Sequence, residues 1–335
     1  MKKIAIIKLS AMGDIIHSMV ALEFLKRAYP NLIIHWFVEE AFSKVLENNP
    51  NIDKIINLNL KSIKKSKKNI FSQISFIKSF KKEKYDLIID AQGLIKSALV
   101  ARILGKNIVG FSKNSTREGL SSIFYRKKIS IEYDKNVIDR NCFLISKALN
   151  FDISKDDILN KKPFLYFKNE NKEIYKYLDE NRKNILLIVG ASWKSKMYSK
   201  EKFVKIVCCM NENFIIAWGN EEEREVASFI ANRSSAKVLP KIDLNSLKAL
   251  VSKVDLVIGN DTGPTHMAWA LNIPSITIFG NTPDYRNTYI TSINRTIKSK
   301  SIVNPFKLDK QDFSINEIDE KDIIKIAKEI LCIGR

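Results

Sequence analysis

The chain reads as an α/β protein of two doubly wound halves, and three observations carry that prediction. Short β-branched runs alternate with helical periodicity along most of the sequence, the pattern of βαβ units that build a parallel sheet covered on both faces. The alternation pauses in a polar stretch at 150–183 and then resumes, so one sheet is expected on each side, with a linker near 160–175. At 335 residues each half is long enough to bury a core of its own.

In the first half, Ile4–Ile7, Ile33–Val38, Lys54–Asn57, Leu87–Asp90 and Ile108–Phe111 are the predicted strands. Their isoleucine and valine content suits a pleated, buried surface. Helices are expected between them at 15–29, 40–48, 70–83 and 93–104. In the second half the strands are Ile185–Val189, Phe214–Ala217, Lys237–Val238, Leu256–Ile258 and Ser275–Phe279, with helices at 200–210, 220–233, 244–253 and 264–271. A last amphipathic helix, from Ile315 to Ile330, carries Ile318, Ile323, Ile324, Ala327 and Ile330 as its apolar positions.

Hydrophobic residues make up 45% and charged residues 28% of the chain, the composition of a folded soluble protein. No stretch approaches the roughly 18 apolar residues that span a bilayer. The run Ile4–Ile7 is cut by Lys8 and a turn, which speaks against a signal peptide. Cys142, Cys208, Cys209 and Cys332 show no CxxC or metal spacing and the three histidines do not cluster. No zinc site is therefore expected, only idle thiols in a reducing cytoplasm.

Charge is uneven. Residues 1–165 hold 30 Lys and Arg against 16 Asp and Glu, a net of +14, while the remainder holds 26 against 21, a net of +5. The excess gathers in Lys61–Lys68, Lys78–Lys84 and Arg117–Lys128. Lysine supplies 45 of the 56 positive charges, so composition bias is one reading, but bias alone would spread evenly. The other reading is an acidic partner: phosphorylated lipid headgroups, nucleic acid or a charged sugar. Nucleic acid fits less well, since arginine is scarce and no RNP-like aromatic pair, zinc finger or helix-turn-helix pattern appears.

Ligands in open α/β sheets bind beyond the C-terminal ends of strands, and the candidate residues lie in such turns. Gly259-Asn-Asp-Thr-Gly-Pro-Thr-His266 joins a strand to a helix with Pro264 near the first helical position. A helix start of this kind aims backbone N–H groups at an anion, phosphate above all. Gly190-Ala-Ser-Trp-Lys-Ser-Lys196 has small residues and two lysines suited to a diphosphate, although Lys196 alone could be an ordinary surface lysine. In Trp218-Gly-Asn-Glu221 the carboxylate either binds ribose hydroxyls or favours the helix dipole. Leu239-Pro-Lys-Ile242 could offer backbone groups and an apolar side chain to a base edge. Near the N-terminus, Lys8-Leu-Ser-Ala-Met-Gly-Asp14 ends with a carboxylate that either caps a helix or serves as a general base. There is no GxGxxG and no GxxxxGK[ST], so dinucleotide binding and P-loop hydrolysis are poorly supported.

Taken together, Ser10-Ala-Met-Gly-Asp-Ile-Ile-His17, Asp90-Ala-Gln-Gly-Leu94, Gly190–Tyr198, Trp218-Gly219, Leu239-Pro240-Lys241 and Asp261-Thr-Gly-Pro-Thr-His266 resemble the ADP-heptose:lipopolysaccharide heptosyltransferase family. The match is nearest to the branch that adds the first heptose to inner-core Kdo, and it runs over essentially the whole chain. The resemblance implies a GT-B fold, two Rossmann-like doubly wound parallel-sheet domains facing each other across a cleft. The acceptor domain would be 1–165, with the 315–335 helix packing back on it, and the donor domain 166–314. It implies an inverting transfer of heptose from ADP-heptose to the Kdo of Kdo-lipid A, with no metal and no other cofactor. It places the enzyme in the cytoplasm, peripheral on the anionic inner-membrane surface, with no nucleic-acid partner. Asp14 becomes the base. Ser192, Lys196, Glu221, Ile242, Asp261, Thr262, Gly263 and His266 become the donor site, with Lys196 on the diphosphate, Glu221 on the ribose and Ile242 at the adenine edge. Lys8, Arg117 and Arg140 become the acceptor site. The loop Ser192-Trp-Lys-Ser-Lys196 departs from the family, which carries two threonines and one residue more before its lysine. Two alternatives stay open: an enzyme of the second-heptose type, and a non-catalytic basic nucleotide- or RNA-binding module.

Overall fold

The computed structural model describes residues 1–64 and 67–333, and the side chains of all these except 63, 64, 67, 68 and 333. Lys65 and Ser66 of the basic run, and the terminal Gly334 and Arg335, lie outside the described residues. The chain divides into two compact units, Met1–Phe164 and Leu165–Arg335.

Among the described residues the first unit holds one six-stranded parallel sheet: β1 Lys3–Ile7, β2 Ile33–Glu39, β3 Lys54–Leu58, β4 Leu87–Asp90, β5 Ile108–Phe111 and β6 Lys127–Ile129. Its spatial order is β3-β2-β1-β4-β5-β6, the Rossmann arrangement. Ile6 pairs with Trp36 on one side and Ile89 on the other. The helices are α1 Met12–Met19, α2 Ala21–Ala28, α3 Lys67–Ser79, α4 Ile95–Leu104, α5 Val137–Leu149 and α6 Lys155–Leu159. Ala5 and Ile7 cluster with Ala98, Ala101 and Leu104 of α4, while α5 packs on α1 and α2.

The second unit repeats the plan. β7 Asn184–Ile188, β8 Asn213–Ala217, β9 Lys237–Val238, β10 Leu256–Asn260, β11 Ser275–Phe279 and β12 Asn294–Lys298 run in the order β12-β11-β10-β7-β8-β9, which is the same topology read from the other edge. Every residue of β7, β8, β10 and β11 is buried, as expected where helices cover both faces. The helices are α7 Lys200–Cys208, α8 Glu221–Ala231, α9 Leu244–Val251, α10 Gly263–Ala270, α11 Asp284–Asn287 and α12 Glu320–Ile333.

Several expectations need correction. The predicted 15–29 helix is two helices meeting at Val20, and 40–48 is a 3-10 turn over Glu40–Val45. Strands β6 and β12 and helix α5 were not anticipated. The C-terminal helix, expected to belong with the first domain, is built into the second unit. Ile315, Ile318, Ile323, Ile324, Ala327 and Ile330 share a core with Ile185, Phe203 and Ile276. Ile315 sits where a side chain on Gly280 would be, 2.6 Å from the position of its missing Cβ. Tyr198 donates its hydroxyl to Ile318 O at 3.0 Å, and Lys205 pairs with Glu320 at 2.8 Å. The apolar face of α12 is thus satisfied by α7 and the second sheet.

Candidate active site

In each sheet the connections reverse direction between the two central strands, which opens a crevice at their C-terminal ends. In the second unit those strands are β7 and β10. Their loops are tied by Asn260, whose Nδ2 donates to Val189 O at 2.8 Å and whose Oδ1 accepts from Tyr198 N at 3.0 Å. Helix α10 lies close to the sheet. A Cβ on Gly259 would meet Ile188 and Thr265 at 2.6 Å, and Thr265 Oγ1 donates to Asn260 O at 2.7 Å. The sequence therefore needs Gly259 so that the helix start can sit over the crevice. Pro264 occupies its first turn, and Gly263 and Thr265 carry first-turn N–H groups without intrahelical acceptors.

A buried charge cluster stands under this turn. Lys196 Nζ meets Asp261 Oδ2 at 2.8 Å, and the two side chains are 9% and 6% exposed. His266 Nε2 lies 2.9 Å from Asp261 Oδ1, so the ring donates from Nε2 to the carboxylate. Thr282 Oγ1 and Asn287 Nδ2 donate to Asp261 Oδ2 at 2.8 and 3.2 Å. Burial pushes the Asp261 carboxyl up, but Lys196 and His266 more than offset it and hold the group well below the usual carboxylate range. Asp261 is thereby a fixed anion that aims one cation and one imidazole at the mouth of α10. The Lys196 ammonium also lies 4.9 Å from the Trp193 ring, and Lys310 lies 5.1 Å from the same ring. Thr282 and Asn287 escaped the sequence reading because they follow the next strand, β11, and form no motif with Asp261.

Of the other predicted donor residues, Thr262 and Gly263 open α10 beside this cluster. Ser192 is exposed on the loop before Lys196. Ile242 is half-buried ahead of α9, on a segment held by the Trp218 indole donating to Leu239 O at 2.7 Å. Glu221 is the first residue of α8, with its side chain 66% exposed and paired to Arg224 at 2.9 Å. The acid that turns inward there is Glu223. It accepts from Gly219 N at 2.7 Å and Asn220 Nδ2 at 2.9 Å, and it fills the space beside Gly190, 2.2 Å from where a Cβ would lie. The sequence signal for Glu223 is the Asn220-x-x-Glu223 spacing of a capping box.

In the first unit the crevice lies between β1 and β4. Lys8 is buried and its ammonium donates to Ala91 O at 2.9 Å, while Gln92 Oε1 accepts from Leu9 N and Ser10 N at 2.9 and 3.0 Å. This holds the loop that leads to Asp14, a half-buried residue in the first turn of α1 whose Oδ2 accepts from Ala11 N at 3.3 Å. Asp14 thus meets the capping geometry while keeping its place at the C-terminal end of β1. At the end of β4, Asp90 is fully buried and accepts from Tyr125, Ser97, Gly93 N and Gln92 N at 2.7–3.1 Å. Burial raises its carboxyl above the ordinary value, the four donors offsetting only part of that effect.

Arg117 is exposed between the two short 3-10 turns that follow β5. Arg140 is held inside the first unit. It is only 4% exposed, donates to the carbonyls of Ser115, Ile131 and Glu132, and lies between the rings of Phe111 and Tyr133. Its guanidinium braces the segment leading to Arg117 instead of facing outward, because it comes from the buried side of α5.

Two Rossmann-ordered parallel sheets, each with a strand-to-helix loop crevice, define the GT-B class. Solved structures agree. "E. coli heptosyltransferase WaaC with ADP" superposes with a TM-score of 0.80 at 21% identity, over 98% of this chain and 99% of that one. A family 9 glycosyltransferase from Veillonella parvula gives 0.81 at 19% identity, over 99% and 98%. In sequence, lipopolysaccharide heptosyltransferase 1 of Campylobacter coli is 41% identical over 98% of both chains. The Pseudomonas aeruginosa protein of the same name is 27% identical over 86% of this chain and 81% of its own. The pattern of glycosyltransferase family 9 (heptosyltransferase) matches residues 73–312, and the chain belongs to that family.

Proposed function

We propose that the protein transfers a heptose from ADP-heptose to the Kdo of Kdo-lipid A, the first heptose of the lipopolysaccharide inner core, with inversion and without a metal. The observation that carries the donor half is the Lys196–Asp261–His266 cluster under the start of α10. A diphosphate leaving group gains negative charge as the glycosidic bond breaks, and prealigned cations and N–H groups stabilise that charge without reorganising. Lys196 and the helix start do here the neutralising work that a divalent cation would do. The relatives support the sugar and the order of addition. The Campylobacter coli and Pseudomonas aeruginosa proteins carry the name lipopolysaccharide heptosyltransferase 1, and one solved structure is of E. coli heptosyltransferase WaaC with ADP-2-deoxy-2-fluoro heptose.

On the acceptor side Asp14 takes the proton of the Kdo hydroxyl as that oxygen attacks the anomeric carbon opposite the departing phosphate. One oxygen of its carboxylate is fixed by the Ala11 N–H, which orients the group for a positioned proton transfer. Arg117 and the basic surface of the first unit face an acceptor rich in carboxylate and phosphate, at the cytoplasmic side of the inner membrane.

The test is ADP release from ADP-heptose with and without Kdo-lipid A, in EDTA, beside Asp14→Ala. Acceptor-dependent release that survives EDTA and disappears in the variant supports every part of the reading. Release only with an already heptosylated acceptor moves the assignment to the second heptose. Nucleic-acid binding with no release from either acceptor returns the protein to a binding module.

A further inference from the structure

The first unit exposes an apolar surface that neither its core nor its crevice uses. On α4, Ile95 and Leu99 are 39% and 47% exposed, and on the 3-10 turn Gly119–Phe124, Leu120 and Ile123 are 64% and 68% exposed. Each pair is spaced to share one side of its element, four residues apart on the α-helix and three on the 3-10 turn. The two elements are packed together. Glu118, just before the turn, accepts from Ile95 N at 2.8 Å, and Ser121 donates to Gly93 O at 3.4 Å. The four side chains therefore form one rigid patch rather than scattered surface residues.

Its rim is basic. Lys96 and Arg102 flank Leu99 at three residues to either side on α4, and Arg117, Arg126 and Lys128 flank the turn, all of them exposed. An apolar strip edged with lysine and arginine is the pattern of a surface that lies in a bilayer interface, where the apolar groups enter the headgroup layer and the cations meet anionic lipid. A second copy of the chain would bring two cationic rims together, which opposes self-association through this face.

We propose that the face formed by α4 and the turn Gly119–Phe124 docks the enzyme on an anionic membrane by apolar insertion as well as by charge. The proposal rests on the reading that the acceptor is anchored in that membrane, and it explains where the patch sits. Ile95 lies three residues after Gln92, the side chain that holds Leu9 and Ser10 in the loop leading to Asp14. Docking there brings the loop of the candidate base to the membrane surface, where a lipid-borne sugar is found.

The test is co-sedimentation of the full chain with vesicles of phosphatidylethanolamine and phosphatidylglycerol, and with neutral phosphatidylcholine. Leu120→Ser with Ile123→Ser should lower partitioning onto the anionic vesicles about tenfold or more. ADP release on a water-soluble Kdo glycoside should stay unchanged, which shows that the variant is folded. Lys96→Glu with Arg126→Glu should remove the part of binding that is sensitive to salt. Leu120→Trp should be quenched by brominated lipid. Vesicle binding that ignores the apolar pair, or a Trp that lipid bromine does not quench, overturns the proposal. So does an apolar pair that dissociates a dimer in sedimentation velocity without changing vesicle binding, since a second copy then covers the face. If wild type binds vesicles through this face but turns over no Kdo acceptor, the docking stands and the proposed activity fails.

Discussion

The two crevices share one topology and treat buried charge in opposite ways. In the second unit the acid after the central strand, Asp261, is a true anion held by Lys196 and His266. In the first unit the acid that ends the central strand, Asp90, is surrounded by two hydroxyls and two backbone N–H groups, and its carboxyl is raised by burial. The first arrangement builds a permanent field, which suits a charged leaving group. The second builds a rigid hydrogen-bonded floor at the end of β4, and Asp14, in the first turn of α1 after β1, is half-buried. One fold thus supplies an electrostatic cradle on one unit and a mechanical support for a base on the other.

The largest effect is expected at Asp14. Asp14→Asn keeps the size and the contact with Ala11 but removes the basic carboxylate, so turnover should fall by about 10²–10⁴ while ADP affinity by calorimetry is unchanged. An equal loss of ADP affinity would show that Asp14 is only a cap, and the contrast between the units would collapse.

Asp261→Ala comes next. It leaves Lys196 buried without its carboxylate, a change that typically costs about 3–5 kcal/mol. Thermal unfolding should show that loss together with weakened ADP binding. The sign with pH follows from the depressed carboxyl. The stabilisation is complete above the unfolded aspartate value and is lost as pH falls through the lower folded value, so the wild type should keep its advantage over Asp261→Ala down into the acid range. A difference that is already gone at pH 5 would contradict the ion-paired cluster.

A buried lysine of the first unit sharpens the contrast. Burial lowers the Lys161 amine to about 7, with Glu23 offsetting only part of the effect. Between about pH 7 and the normal lysine value the unfolded chain binds the extra proton, so stability rises with pH across that window and is lower beneath it. Lys161→Met should flatten the rise and gain about 1–3 kcal/mol at pH 7. Replacing Lys196 in the same way should bring no such gain, since that lysine has a carboxylate at 2.8 Å.

How legible each part was in the sequence follows from the same physics. The central strands could be read because both faces are buried and they are mostly isoleucine, leucine and valine. The two strands that escaped, Lys127–Ile129 and Asn294–Lys298, are sheet edges, where charged and polar residues guard unpaired backbone, so a search for apolar runs passes over them. Helix α5 had a signal, Asn136 capping Ile138 N and Asn150 ending the helix at φ 58°, but its mixed face hid it. At the site, contiguous motifs such as Asp261–His266 were readable because one turn carries them. Glu223, Thr282 and Asn287 act across loops, and nothing local in the sequence around Arg140 reports that it is buried.

The smallest effect is expected at Asp90, and it is the most discriminating. Asp90→Asn keeps one acceptor oxygen for Gly93 N and Gln92 N. Its new amide faces hydroxyls, and both can adapt. Ser97 Oγ already has Leu94 O at 2.8 Å as another acceptor, and the Tyr125 hydroxyl can rotate to accept in place of donating. The cost should therefore be no more than about 1 kcal/mol. Because the folded carboxyl lies above its unfolded value, wild-type stability declines as pH rises between the two, and the neutral amide should abolish that decline. Asp261→Asn offers the same change of shape but strips the anion from Lys196, and it should cost several times more. If the two asparagine variants were equally damaging, the acids would be doing the same job and the division between cradle and floor would be wrong.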